Sequence, residues 1–150
     1  MSTIFLDMDG VLNDHEWNSE AQSTTLKLSC VSQFNKIITE CDPDIVLCSA
    51  WRYMVHGQAI TLKGFQYLLR THGITEKTRI VGMTKLDEEI PTRKAQIQDW
   101  IDRHAVLNYV VIDDLPDVSP DPTRHVRPHE KIGLRGFEVE KVISLLQKVI

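Results

Sequence analysis

The chain reads as an α/β protein: a three-layer, Rossmann-like parallel sheet with helices on both faces. Three observations predict this. Short, nearly uninterrupted apolar runs at Ile4-Phe5-Leu6, Ile45-Val46-Leu47-Cys48, Ile80-Val81-Gly82 and Tyr109-Val110-Val111-Ile112 carry the signature of strands buried on both sides. Amphipathic helical segments separate them, the alternation that parallel strands need because their connections must cross over. The 150 residues suffice for one such core with little room for a second, so a single domain over 1–150 is expected.

The first run leads into Asp7-Met8-Asp9-Gly10. On extended backbone, residues i and i+2 project to the same side, so Asp7 and Asp9 are expected to converge at the strand's end. Two such carboxylates repel each other unless a cation or a proton sits between them. Gly10 permits a sharp turn and a close approach to the backbone. Residues 14–25 (DHEWNSEAQSTT) are polar and aperiodic and read as a loop. Ser29 is placed to cap a helix running to about Cys41, with Val31, Phe34, Ile37, Ile38 and Cys41 on one face. Asp42-Pro43-Asp44 breaks it, and Ser49-Ala50-Trp51-Arg52 follows the second strand at once.

Thr61 is expected to cap a helix with the stripe Leu62, Phe65, Leu68 and Leu69, stopped at Gly73. Thr92 is expected to cap another, with Ile97, Trp100, Ile101 and His104 facing inward. The fourth strand ends in Asp113-Asp114. In the Pro- and His-rich stretch 115–131, His125-Val126-Arg127 can add an edge strand. Phe137, Val142, Ile143, Leu146 and Val149 mark the last helix. No internal repeat, linker or low-complexity segment interrupts the chain.

Composition narrows the partners. The net charge of −4 gives no electrostatic case for a duplex-coating protein, although a local basic rim can still hold phosphates. Three cysteines, Cys30, Cys41 and Cys48, are odd in number and lack C-x-x-C spacing; they read as small apolar residues in a reducing compartment. The first strand starts near Met1, leaving no room for a signal peptide, and no apolar run approaches the ~20 residues that span a membrane. A cytoplasmic chain with no membrane contact is expected, and nothing implies an obligate protein partner.

Strand ends carry the chemistry. The first ends in Asp7-x-Asp9, the second in Ser49, the fourth in Asp113-Asp114. Parallel strands bring all of these to one rim, where ligands of such sheets gather. Arg93 and Lys94 open a helix, an odd place for cations by macrodipole logic unless they face an anion. Arg93 shares the inward face with Ile97 and Trp100 and is preferred to Lys94. Trp51 is either pocket lining or a core anchor, and Arg52 reads as pocket lining. His15, Glu16 and Trp17 read as solvated loop. Arg124, His125, Arg127 and His129 make a small basic rim whose spacing is unlike a zinc site. His56, His72 and His104 look like ordinary surface or helix-end histidines.

The ordered set DMDGVLN, CSAWR, TRKAQIQDWI and VVIDDLPD resembles the four motifs of the haloacid dehalogenase-like (HAD) phosphohydrolases, over residues 4 to about 117. The S-x-W-R loop, the R-x-x-x-I-x-x-W helix and Ile132-Gly133-Leu134 are similar to the HAD domain found in RNA-repair proteins, with Gln96 standing where that pattern leads one to expect an acid. The resemblance implies Asp7 as nucleophile, forming an aspartyl-phosphate, and Asp9 as general acid and then base. It implies Ser49 and the third-motif cation as holders of the phosphoryl oxygens. Gly10, Ala50, Trp51 and Arg52 are expected to border the substrate. Asp7, the Asp9 backbone carbonyl, Asp113 and Asp114 would hold Mg²⁺, a hard cation suited to oxygen donors. Asp114 is favoured as the direct ligand of the pair, with Asp117 a substitute through its D-x-x-x-D spacing.

Other classes fit less well. An EF-hand loop fails because Val11 and Leu12 stand where a ligand and the turn glycine belong. A phospho-acceptor receiver domain carries its acidic pair on the first strand; here the doublet comes last. Dehalogenation does not require the second acid, Asp9. A non-catalytic nucleotide- or RNA-binding scaffold would not need the whole carboxylate set. Neither 10–45 nor 52–92 holds a folded cap, so the site is expected to be open, which by resemblance suits a nucleotide or the phosphorylated end of a nucleic acid.

Overall fold

The computed structural model describes residues 1–13, 26–58 and 60–148. The loop read at 14–25, including His15, Glu16 and Trp17, lies outside the described residues, as does Val149. Five strands form one sheet: β1 (Ser2–Leu6), β2 (Asp44–Leu47), β3 (Arg79–Met83), β4 (Asn108–Ile112) and the two-residue β5 (His125–Val126). Their spatial order is β3-β2-β1-β4-β5, and every pairing is parallel. The helices are α1 (Leu28–Cys41), α2 (Arg52–His56), α3 (Leu62–Thr71), α4 (Arg93–His104) and α5 (Gly136–Gln147).

Strand alternation divides the core in two. Ile4 and Leu6, Ile45 and Leu47, and Val110 and Ile112 face α1, α3 and α5, meeting Phe34, Ile38, Phe65, Leu69, Val139 and Val142. Phe5, Val46 and Val111 face the other way, onto Ile97 of α4 and Val118. The sheet is thus covered on both faces, more thickly on one. Among the described residues no inserted domain covers the carboxyl ends of the strands.

Two helix starts follow from local chemistry. Thr61 Oγ1 accepts from Gly64 N–H and Thr92 Oγ1 accepts from Ala95 N–H, each satisfying a donor the helix leaves orphaned. The start of α1 does not follow Ser29. Lys27 occupies the cap position without a side-chain capping bond; its N–H is tied to Leu12 O at 2.8 Å, and the helix departs from that anchor. Of the two readings of His104, the helix-end one holds and the inward one does not, and Phe137 lies in the last helix but off its inner face. His104 is exposed and lies flat on Trp100, ring centroids 3.8 Å apart. Phe137 is 60% exposed, with Lys141 Nζ 4.3 Å from its ring, since the inner face of α5 is Glu138, Val139, Val142 and Leu146.

Candidate active site

The adjacent strands β2, β1 and β4 deliver their carboxyl ends side by side. The register Leu6↔Leu47 and Leu6↔Ile112 sets Asp7 between Cys48 and Asp113. The ladder runs one step further, with Asp7 N–H donating to Ile112 O and Cys48 N–H to Leu6 O. Asp7, Asp113 and Asp114 each bring a carboxylate oxygen within 4.8 Å of the other two, and all three are buried. Only oxygen donors meet there, with more negative charge than a buried site sustains unaided.

Asp7 records that crowding. Its carboxyl is pushed up to about 9, first by burial and then by the charge of Asp113, against the pull of Arg93. Arg93 Nη1 lies 2.7 Å from Asp113 Oδ2 and 3.5 Å from Asp7 Oδ1. Burial opposes its charge, and Asp113 and Asp7 more than restore it. Lys94 points elsewhere, to Asp117 at 2.9 Å. Asp117 is therefore outside the buried trio, held at φ 53° in an exposed turn. Asp113 has both oxygens occupied, Oδ1 by Leu115 N–H at 2.9 Å and Oδ2 by Arg93, whereas the Asp114 side chain is hydrogen-bonded to Asp7.

Asp9 is not one of the buried trio. The backbone leaves the extended form after Asp7: Val11 and Leu12 N–H both donate to Met8 O, and Gly10 takes φ 83°, which favours glycine. The i, i+2 argument therefore stops one residue short. The Asp9 carboxyl turns instead to Asn13 Nδ2 on Oδ1 and Trp51 Nε1 on Oδ2, both at 3.0 Å.

In the second-strand loop Ser49 is buried and its Oγ accepts from Trp51 N–H at 3.1 Å. Ala50 is exposed on the rim. Trp51 is buried with its ring edge on Phe65 at 6.1 Å, so it is a core anchor that also reaches Asp9. Arg52 does not line the pocket. It is 4% exposed and turns inward, Nε to Ser49 O at 2.7 Å and Nη1 to Thr84 Oγ1 at 2.6 Å and Gln96 Oε1 at 2.9 Å. Gln96, where an acid was expected, answers this guanidinium with a neutral oxygen while its Nε2 donates to Ile90 O. Burial lowers the Arg52 pKa.

Sequence reasoning does not point to Asn13 and Thr84 as parts of this network, and it names Gln96 only as a residue standing where an acid is expected. Asn13 left one trace, a lone amide closing the apolar Val11-Leu12 step. The buried Cys48 thiol is pushed well above its ordinary value by burial and then by Asp113 and Asp7, which favours its protonated form. The basic rim is thinner than expected. Arg124 bonds Tyr109 O and Asn108 Oδ1 at the far end of β4, and His125 Nε2 bonds Asp113 O. Arg127, exposed, keeps its Nε on Asp114 O at 2.7 Å, at the lip of the site. A cavity of about 840 Å³ opens at the opposite, amino ends of the strands, lined by Thr3, Asp44, Trp100 and Asn108 among others, and shares no residue with the acids.

No curated protein and no solved structure matches the chain. A family model does, over residues 3–139, and it spans all four motifs. With its sheet order, strand-end acids and that match, the chain belongs to the family described as the HAD domain in Swiss Army Knife RNA repair proteins.

Proposed function

We propose that the protein is a magnesium-dependent phosphomonoester hydrolase working through an aspartyl-phosphate on Asp7, with a nucleotide or the phosphorylated end of a nucleic acid as substrate. The observation that carries this reading is the convergence of Asp7, Asp113 and Asp114 against the Arg93 guanidinium. The donor set suits Mg²⁺: oxygen only, buried, and too negative without a dication. Asp7, Asp114 and the Asp9 backbone carbonyl would hold the ion, with Asp113 assisting through Arg93. When bound, it offsets the repulsion between an anionic nucleophile and an anionic ester.

The chain's residues then divide the work. An Asp7 oxygen attacks phosphorus as the ester P–O bond breaks, and Asp9 gives its proton to the departing oxygen. Ser49 and Arg93 hold the phosphoryl oxygens as charge spreads over them. Asp9, now a carboxylate, takes a proton from the water that attacks phosphorus. The Asp7 O–P bond breaks and inorganic phosphate leaves. Arg93 supports this role better than Lys94, since Lys94 is engaged by an exposed carboxylate.

A rim that no domain among the described residues covers, with a thin cationic lip, suits a large substrate entering by its phosphorylated end, and the family's association with RNA repair points the same way. The test is hydrolysis of an aryl phosphate with and without Mg²⁺, followed by a panel of nucleotides, sugar phosphates and 3′- or 5′-phosphorylated oligonucleotides. Magnesium-dependent release of phosphate, fastest from a nucleotide or an oligonucleotide end, is expected. Binding without turnover across the panel would instead favour a non-catalytic HAD-like module.

A further inference from the structure

We infer that Trp51 and Asn13 form a clamp that fixes the Asp9 carboxyl group for proton transfer, an inference that rests on the phosphatase reading above. A carboxyl group on a half-buried side chain has a broad terminal torsion, whereas an effective general acid must meet the leaving oxygen in one orientation. Here the two oxygens are held from two segments of the chain, Oδ1 by Asn13 Nδ2 and Oδ2 by Trp51 Nε1, each at 3.0 Å.

Both donors are themselves buried and held by further contacts. Asn13 is fully buried, and Gly10 N–H donates to its Oδ1 at 3.0 Å, which directs the amide nitrogen toward Asp9. The Trp51 indole is buried against Phe65, edge to face at an interplanar angle of 84°. An indole N–H and an amide NH₂ donate and cannot take up a proton. The clamp therefore orients Asp9 without competing for the proton it transfers. Trp51 N–H also donates to Ser49 Oγ, so one residue sets both the acid and a hydroxyl assigned to the phosphoryl group. These are positioning residues, acting through Asp9 and Ser49.

A tryptophan kept only for core packing would need its ring and not its N–H. Trp51→Phe keeps a ring against Phe65 and deletes the donor. The variant and wild type are compared on phosphate monoesters whose leaving groups run from dinitrophenol to simple alkyl alcohols, reading kcat/KM, which reports phosphoryl transfer to Asp7. A good leaving group departs without a proton and a poor one does not. Trp51→Phe should steepen the dependence on leaving-group pKa, its loss on alkyl esters exceeding that on the dinitrophenyl ester by about tenfold or more. Should this variant not fold, Asn13→Ala is read in the same way. An equal loss across the series, or none, overturns the clamp while leaving the phosphatase reading standing. A wild-type chain inactive on every ester overturns both.

Discussion

Arg93 Nη1 sits 2.7 Å from Asp113 Oδ2 and 3.5 Å from Asp7 Oδ1, so one guanidinium bridges the carboxyl ends of two neighbouring strands. The cation at the start of α4, unfavourable by helix-dipole logic, is explained by the acids it meets. Arg93→Ala should lower kcat/KM by about 100-fold or more. Lys94→Ala removes only an exposed pair with Asp117 and should cost under about 1 kcal/mol of stability. Hydrolysis of a small aryl phosphate, measured beside denaturant unfolding, checks the contrast. A larger activity loss for the Lys94 variant would reverse the assignment.

Asp7, the proposed nucleophile, also carries a stability cost. Its folded-state value of about 9 stands above the ordinary 3.8, so between those limits the folded chain binds more protons than the unfolded one. Stability from the neutral carboxyl is fully present below about pH 4 and is lost as pH rises toward about 9, by at most about 1.4 kcal/mol per pH unit. Asp7→Asn supplies a neutral isostere. It should lower turnover by at least about 10⁴-fold and flatten this contribution. Denaturant unfolding of both proteins in EDTA at pH 5, 7 and 9 tests the sign; a wild-type curve that parallels the variant's would contradict it.

The legible parts of the molecule were those set by nearby residues. Thr61 and Thr92 cap their helices through bonds spanning three residues, and the apolar runs became β1, β2, β3 and β4 with bounds shifted by a residue or two. Much of what escaped depends on partners far along the chain. The start of α1 is set by Leu12 O, and the direction of Arg52 by Thr84 and Gln96. Asp9 follows a turn that ends the extended geometry on which its expected position relied. Helical periodicity identified α4 and α5 but not which way His104 and Phe137 turn, because the ring of each finds a partner on the helix itself.

Metal dependence should separate the two aspartates at the end of β4. Asp113 is already engaged by Arg93 and Leu115 N–H, so Asp113→Ala should act mainly on kcat by releasing Arg93. Asp114→Ala should raise the Mg²⁺ concentration for half-maximal activity by at least about tenfold. EDTA should abolish hydrolysis and Mg²⁺ restore it. The thermal shift given by Mg²⁺ should grow between pH 5.5 and 8.5, because ligands must lose their protons to bind. If Asp113→Ala has the larger effect on the Mg²⁺ requirement, the order of the pair is the reverse.

Gly133 ties the end of the chain to the loop that carries Asp9. It takes φ 76°, and a Cβ there would meet Cys30 Sγ at 2.6 Å, Asn13 O at 2.8 Å and Val11 O at 3.1 Å. The sulfur is a side-chain atom that can give way; the two carbonyls belong to the backbone of the Asp9–Asn13 turn, and Leu134 N–H donates to Val11 O at 2.8 Å. Gly133→Ala therefore combines left-handed strain with pressure on Asn13 and should cost about 1–3 kcal/mol. Because Asn13 holds Asp9 Oδ1, the displacement should also lower kcat/KM by about tenfold or more, measured well below the melting temperature where the variant is folded. Full activity per folded molecule would mean that the turn absorbs the new methyl group without moving Asp9.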